Sequence, residues 1–216
     1  SIMASVAEEK TSRIAELLVA TIDPAQLLAA KVLASGATAM IQLAVWIATG
    51  LLTASAAAGL FLDSDSPVRL HAQGPMVLPT SEVFAFIAFF VVGFIQFSVL
   101  YAAAASLINR TEDLGSVAGP LVVPLVIGFL LAQVGLAYPN ASNVAVCSEI
   151  PLIAPFVMFT RIAVSSVPAW QIILSLAINL VAAFLLARAA GKIYRVGLLL
   201  YGRAPSLRQV VAALRT

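Results

Sequence analysis

The chain has 216 residues, of which 62% are hydrophobic and 10% are charged, with a formal net charge of +2. An ordinary soluble domain has about 25% charged residues, so this composition excludes a water-soluble globular domain. The single cysteine, Cys147, excludes an internal disulfide and a site with several thiolate ligands. With one histidine, His71, we expect neither a metal site nor a catalytic site.

Charged residues divide the chain into five uncharged runs. These runs are residues 32–62, 83–109, 114–148, 150–160 and 162–187. A helix that crosses a bilayer needs about 20 mostly apolar residues, each of which adds about 1.5 Å. Four of the runs are long enough. The sequence therefore predicts an all-α, polytopic membrane helical bundle with four full spans.

The chain begins with an apolar segment that is followed by a charged one. Residues 1–7 lack the basic region of a signal peptide, and we interpret them as the end of an upstream span in a longer membrane protein. Residues 8–22 carry apolar side chains at helical spacing opposite charged ones, which predicts a helix on the cytoplasmic surface. Asp23 followed by Pro24 is typical of a helix start, so we place the first full span at residues 24–62.

The remaining segments alternate between spans and connections. In chain order we expect an extracytoplasmic loop at 63–82, a span at 83–108, a cytoplasmic loop at 109–116, a span at 117–137, a span at 169–190 and a cytoplasmic amphipathic tail at 192–216. The tail combines basic and apolar residues. We expect it to lie against anionic lipid headgroups, and the alternative is contact with a partner protein.

The uncharged run at 150–160 is too short to cross a membrane. It contains Pro151 and Pro155, each of which removes a helix donor and clashes with the preceding turn. We predict a re-entrant broken-helix hairpin at residues 149–165. Since irregular backbone at membrane depth needs protein or a watery cavity to satisfy its polar groups, the hairpin should face the protein interior.

Six polar or charged side chains lie within or beside the predicted spans. The uncharged ones are Gln42, Gln96, Gln133 and Asn179, and the charged ones that flank the short run are Glu149 and Arg161. The uncharged residues either line a solute path or hydrogen-bond one helix to another. We favour the second role, because such bonds contribute about 0.6 to 2 kcal/mol in membranes. The charged residues either form a gate at the hairpin mouth or contact water outside.

Basic residues set the predicted orientation, because cytoplasmic loops collect Lys and Arg. With both chain ends inside, all but two of the 12 basic residues lie on the cytoplasmic side, and the exceptions are Arg69 and Arg161. We therefore expect a multi-pass protein of the cell membrane with a cytoplasmic C-terminus. The excess of Arg over Lys is compatible with a GC-rich bacterial genome.

Sequence motifs for soluble chemistry are missing. The chain has no GxxxxGK[ST] phosphate loop, no GxSxG elbow, no HExxH helix and no CxxC pair. If ATP drives transport here, another polypeptide must bind it.

Four blocks of the sequence carry a family resemblance. They are EEKTSRIAELLVATIDPAQLLAAK (8–31), NRTEDLGSVAGPLVVPLVIGF (109–129), IPLIAPFVMFTR (150–161) and KIYRVGLLLYGRAPSL (192–207). They resemble the permeases of ABC-type exporters, in the branch of sodium-efflux and drug-efflux permeases. The first and last blocks are the more specific, because they combine charged, turn and aromatic residues at fixed spacing. The resemblance covers nearly the whole chain and implies a permease of six helices, of which this chain holds the end of the second helix onward.

The resemblance also implies that the first block docks on an ATPase subunit. The residues of this coupling segment are Glu9, Lys10, Ser12, Arg13 and Glu16, with Leu17 and Leu18 on the apolar face of the same helix. The resemblance implies that ATP and magnesium are bound by that ATPase and that this chain binds no cofactor. The other expected partners are a second copy of the permease or a related permease, and membrane lipids; no nucleic acid is expected.

These observations favour the membrane subunit of an ATP-driven exporter. The alternatives are a non-transporting membrane anchor or regulatory scaffold and an ion-coupled secondary carrier. A secondary carrier normally places ionisable residues within its spans, and the four long runs have none. The sequence does not discriminate among sodium, drugs, lipids and peptides as substrates.

Overall fold

The computed structural model describes residues 2–11, 23–61, 80–108 and 111–199. Within these ranges the regular structure is helical and contains no strand. The helices are α1 (Ile2–Thr11), α2 (Pro24–Phe61), α3 (Thr80–Ser106), α4 (Leu114–Ala137), α5 (Ser142–Cys147), α6 (Ala154–Val164) and α7 (Ala169–Leu199), and a 3-10 turn at Thr111–Asp113 precedes α4.

Four of these helices are long and apolar enough to cross a membrane. Their candidate spans are Gln26–Gly50, Glu82–Ser106, Leu114–Ala137 and Ala169–Arg195. The shortest has 24 residues, which corresponds to about 36 Å of helix against a hydrocarbon core of about 30 Å. The predicted class, an all-α membrane bundle with four spans, is confirmed.

Several helices extend past the predicted segment boundaries. α1 continues to Thr11, so the boundary that we placed between residues 7 and 8 lies inside one helix. α4 begins at Leu114 instead of residue 117, directly after the 3-10 turn. α7 continues to Leu199 instead of ending at residue 190, because its sequence contains no proline to interrupt the hydrogen bonds. The start of the predicted tail is therefore continuous with the last span.

Other predicted features lie outside the described residues. They are residues 12–22 of the surface helix, most of the loop at 63–82 and the tail from residue 200 onward. α2 does begin at Pro24, and the carbonyl of Asp23 accepts the first helical bond from the backbone N of Leu27 at 3.0 Å.

α3 is the centre of the bundle, since it packs against α1, α2, α4, α6 and α7. Its C-terminal half is rich in alanine, and Ala102 and Ala105 are buried in one cluster with Tyr194 of α7. Small side chains let helix backbones approach closely in a membrane. Gly197 of α7 marks such an approach, because a Cβ at this position would collide with Ser106.

α5 and α6 form a broken-helix hairpin between α4 and α7, and residues 148–153 form its turn. α6 has 11 residues, about 16 Å of helix, which is too short to cross a bilayer. Pro155 lies in the first turn of α6, where its missing N–H breaks no helical hydrogen bond. Gly128 of α4 leaves room for the ring of Phe156, since a Cβ there would lie 2.7 Å from the ring atom Cδ2.

The hairpin starts earlier than we predicted. The range 149–165 contains the turn and α6 but omits the first arm, α5. Glu149 therefore lies in the turn between the arms and not at the hairpin mouth. The charge pattern missed α5 because residues 114–148 form one uncharged run, and the helix break near Pro139 within this run carries no charge.

Candidate functional site

α3 presents different side chains on two of its sides. Gln96, near the middle of the span, is completely buried. On another side Phe86, Phe90, Phe94 and Phe97 follow one another at spacings of four and three residues, which places them on one face of a helix. The candidate site consists of a polar network around Gln96 and two cavities along the phenylalanine face.

Gln96 joins α3 to the hairpin turn and to α7. Its Nε2 donates to the backbone oxygen of Asn179 at 2.9 Å and to Asn179 Oδ1 at 3.1 Å, and its Oε1 accepts from the backbone N of Leu152 at 3.0 Å. Asn179 donates from Nδ2 to the carbonyl of Ser175 at 2.9 Å. An unsatisfied buried amide costs about 1 to 3 kcal/mol. These bonds therefore fix the hairpin turn at the depth of the middle of α3.

The turn held by Gln96 has an unusual backbone. Leu152 has a φ of 71°, and it is the one non-glycine residue with a positive φ in the described part of the chain. This left-handed conformation costs an L-residue about 1 to 2 kcal/mol. Such a residue persists where surrounding contacts determine its conformation. The hydrogen bond from Leu152 to Gln96 is one of these contacts.

Arg161 ties both arms of the hairpin to α7. It is 3% exposed, and it donates from Nε to the carbonyl of Pro139 at 2.8 Å, from Nη1 to Ser148 Oγ at 2.7 Å and from Nη2 to Gln171 Oε1 at 3.1 Å. The carbonyl of Ser148 also accepts from Ser175 Oγ at 2.6 Å. Since a buried charge is tolerated only when it is paired or hydrogen-bonded, this geometry is what allows a guanidinium in an apolar bundle.

Glu149 lies beside this network but is not bonded into it. Its Oε2 is buried and has no hydrogen-bond partner among the described residues. Arg161 makes its three hydrogen bonds to other residues. The structure therefore does not join Glu149 and Arg161 in the direct pair that we considered for a gate, and Arg161 does not lie in outer water either, because it is buried.

The first cavity, which we call the Lys31 cavity, lies between α1, α2 and α3 and has a volume of about 720 Å³. Its polar lining includes Ser5, Lys31, Gln42 and Ser98. Lys31 Nζ donates to Ser5 Oγ at 2.8 Å and thereby links α1 to α2. This cavity can hold a polar or amphipathic solute.

The second cavity, which we call the phenylalanine cavity, lies between α3, α4 and α6 and has a volume of about 450 Å³. Eight of the 11 phenylalanines of the chain line it, and they are Phe86, Phe89, Phe90, Phe94, Phe97, Phe129, Phe156 and Phe159. Among the described residues its polar lining is Gln133 and Thr160, and none of its lining residues is charged.

The two cavities meet at Phe94 and Phe97, which line both. Together the cavities extend along α3 from Phe86 to Tyr101, which is about 22 Å of helix. Gly36 of α2 leaves room for the Phe94 ring, because a Cβ at Gly36 would lie 3.3 Å from Phe94 Cε1. α2 therefore contacts the place where the two cavities meet.

The structure separates the four uncharged residues that the sequence suggested for a path or for helix contacts. Gln96 and Asn179 are hydrogen-bonded to each other inside the bundle. Gln42 lines the Lys31 cavity and Gln133 lines the phenylalanine cavity, and both side chains are exposed. The first pair thus joins two helices, and each residue of the second pair lines a cavity.

Only part of the predicted coupling segment can be located. Glu9 and Lys10 belong to α1. The other residues assigned to coupling lie outside the described residues, and they are Ser12, Arg13, Glu16, Leu17 and Leu18. The coupling role of all seven stays a prediction.

Sequence reasoning missed Ser148, Gln171 and Ser175 of the polar network. Single serines in an apolar run carry no signal, because a serine that points to lipid and one that bonds to another helix look the same in sequence. The phenylalanine face was detectable. Its signal is the repeated spacing of aromatic residues along α3.

Four helices that are long and apolar enough to cross a membrane, a broken-helix hairpin and two cavities along α3 define a polytopic membrane protein. A family model described as "ABC-2 family transporter protein" matches residues 1–191. The chain belongs to this family, which supplies the permease component of ABC transporters and not the catalytic one.

Two curated relatives match nearly the full length of this chain. "Uncharacterized protein YhaP" of Bacillus subtilis is 33% identical over 214 residues, which are 97% of this chain and 49% of that protein. "Uncharacterized protein MJ1024" of Methanocaldococcus jannaschii is 26% identical over 213 residues, which are 97% of this chain and 48% of that protein. The chain thus spans about half the length of these relatives. No solved structure matches it significantly.

Proposed function

We propose that this chain is part of the membrane subunit of an ATP-driven exporter, and that the solute passes along α3 through the Lys31 cavity and then the phenylalanine cavity. The observation that carries the proposal is that both cavities follow the same central helix and share Phe94 and Phe97. Their combined length of about 22 Å is most of the thickness of a hydrocarbon core.

The proposed orientation follows from the basic residues, which favour a cytoplasmic location for the C-terminal end of α3. The Lys31 cavity then takes the solute from the cytoplasmic side, and the phenylalanine cavity releases it toward the outside. The rings of Phe94 and Phe97 stand between the cavities. They form the barrier that must move for the solute to pass.

A partner ATPase supplies the energy in this proposal, with ATP and magnesium bound on that partner. It docks on the segment 8–22, which leads directly into α2. When the ATPase moves the segment 8–22, α2 can transmit this movement as a rigid helix. α2 reaches the barrier through the contact between Gly36 and Phe94. The ATPase drives transport only if it contacts the inward-open and outward-open states differently.

A second permease copy, or a related permease, completes the transporter in the membrane. The spans of this chain expose large apolar side chains that suit lipids or another subunit, among them Trp46, Leu130 and Leu185. The C-terminus is cytoplasmic in this arrangement.

The test is reconstitution of the complete permease with its ATPase in lipid vesicles, followed by measurement of ATP hydrolysis and ATP-dependent solute movement. Glu9→Lys and Arg13→Glu reverse charges in the coupling segment. We expect each to lower transport-linked ATP hydrolysis while membrane insertion is unchanged.

The matched control is Glu112→Lys. Glu112 is an exposed carboxylate on the same predicted side of the membrane but outside the coupling segment. It should leave ATP hydrolysis and transport unchanged. If the complexes with reversed Glu9 or Arg13 keep full ATPase activity and full export, the coupling assignment is wrong.

A further inference from the structure

The phenylalanine cavity has a size and a lining that select its occupant. Its volume of about 450 Å³ lies within the range of roughly 300 to 1,000 Å³ that is typical of small-molecule sites. Such sites combine apolar and aromatic walls with a few polar groups that orient the ligand. This cavity has that composition.

The rings that line the cavity pack against one another in tilted and edge-to-face pairs. Phe86 and Phe159 lie 4.5 Å apart between ring centroids at an angle of 50°, and Phe97 and Phe156 lie 6.4 Å apart at 71°. Aromatic rings prefer offset-stacked or edge-to-face neighbours at centroid distances of about 4.5 to 7 Å. A planar aromatic solute can continue this packing, whereas a flexible aliphatic chain gains no orientation from it.

Charge and hydrogen bonding restrict the solute further. None of the described residues that line the cavity is charged. A small inorganic cation that lost its water would gain only cation–π contacts with the rings, about 0.5 to 2 kcal/mol each, which is far less than its hydration free energy. An anion would in addition face the negative faces of the rings. The Thr160 hydroxyl already donates to the carbonyl of Phe156 at 2.9 Å. Gln133 makes no hydrogen bond among the described residues, and its amide is available at the cavity.

We infer that the phenylalanine cavity binds planar aromatic organic solutes that carry no negative charge, with Gln133 bonding to one polar group of the solute. This inference rests on the proposed function, because it names the class of solute that the exporter moves. It excludes inorganic cations and lipid acyl chains as the principal occupants of this cavity.

The experiment uses the complete permease in lipid nanodiscs, without ATP, and a tritiated azidonaphthalene carboxamide as a photoactivatable probe. The labelled residues are mapped by mass spectrometry over a range of probe concentrations. We expect saturable labelling of cavity residues and non-saturable labelling of residues that face lipid. Naphthalene carboxamide should compete for the saturable part, and naphthalene carboxylate should compete much less.

Two variants test the site itself. Phe129 is 58% exposed at the cavity, and Phe129→Ala should weaken saturable labelling about threefold to tenfold. Gln133→Leu should weaken the binding of the carboxamide more than that of naphthalene. The matched control is Phe84→Ala, because Phe84 is 69% exposed on α3 and does not line the cavity. It should not change the labelling.

Several outcomes overturn the inference. They are labelling of the cavity that does not saturate, equal effects of Phe129→Ala and Phe84→Ala, and competition by oleamide that equals competition by the aromatic carboxamide. Failure of the proposed function looks different. Saturable labelling without ATP-dependent export would support the binding site and contradict the proposed exporter function. ATP-dependent export without saturable labelling would support the exporter function and contradict the binding site.

Discussion

Gln96 of α3 and Asn179 of α7 form a two-point contact at the middle of the bundle, in which one amide group donates to both the backbone oxygen and the side-chain oxygen of its partner, at 2.9 and 3.1 Å. The same Gln96 accepts from the hairpin at Leu152. One side chain thus holds two spans and the hairpin turn together. In the proposed function, the solute moves along the phenylalanine face of the same helix.

Replacing Gln96 with leucine should destabilise the protein by about 1 to 3 kcal/mol, because the backbone N of Leu152 and the side chain of Asn179 lose partners in an apolar interior. The change in the free energy of unfolding is measured by unfolding the purified permease in detergent with increasing concentrations of dodecyl sulfate. Gln133→Leu is the control, since Gln133 is exposed and makes no hydrogen bond among the described residues. Equal destabilisation by both variants would show that the Gln96 contacts contribute nothing specific.

Replacing Arg161 with lysine should loosen the hairpin, although the positive charge is kept. A single ammonium group cannot reproduce the planar geometry by which Arg161 bonds to Pro139, Ser148 and Gln171. Cys147, the one cysteine among these 216 residues, lies at the end of α5 and is partly buried. It reports the opening of the hairpin through its rate of reaction with a thiol reagent.

We expect Arg161→Lys to raise this rate by about tenfold or more, which corresponds to the loss of one charged hydrogen bond. Arg188→Lys is the control, because Arg188 is an exposed residue of α7 outside the polar network. The prediction fails if Cys147 reacts at the same rate in both variants.

Leu152 allows a test of the backbone alone. With a φ of 71°, the glycine variant should be more stable than the alanine variant by about 1 kcal/mol, since glycine adopts this conformation without a steric cost and both variants lack the leucine side chain. At the adjacent Ile153, where φ is −97°, the order should be reversed. Thermal unfolding of the four variants in detergent gives the comparison, and the same order at both positions would contradict the left-handed turn.

The four spans could be predicted from the sequence because apolar length is a sufficient signal for a helix that crosses a membrane. The polar network could not be predicted in the same way. Gln96 and Gln133 are both single glutamines in apolar helices, yet one is buried among hydrogen bonds and the other is exposed at a cavity. What separates them is the packing of distant segments. The first arm of the hairpin was missed because the helix break that precedes it, near Pro139, carries no charge and lies within the uncharged run 114–148.

The close approach of α3 and α7 gives the last prediction. At Gly197 an added Cβ would collide with the backbone and hydroxyl of Ser106, so Gly197→Ala should force the helices apart and cost about 1 to 3 kcal/mol. Gly191 lies on the same helix with no atom within 4 Å of an added Cβ. Gly191→Ala should therefore be neutral or stabilise the helix by up to about 1 kcal/mol, because alanine has the higher helix propensity. Dodecyl sulfate unfolding of both variants measures the difference, and a stabilising effect at Gly197 would refute the close crossing of the two helices.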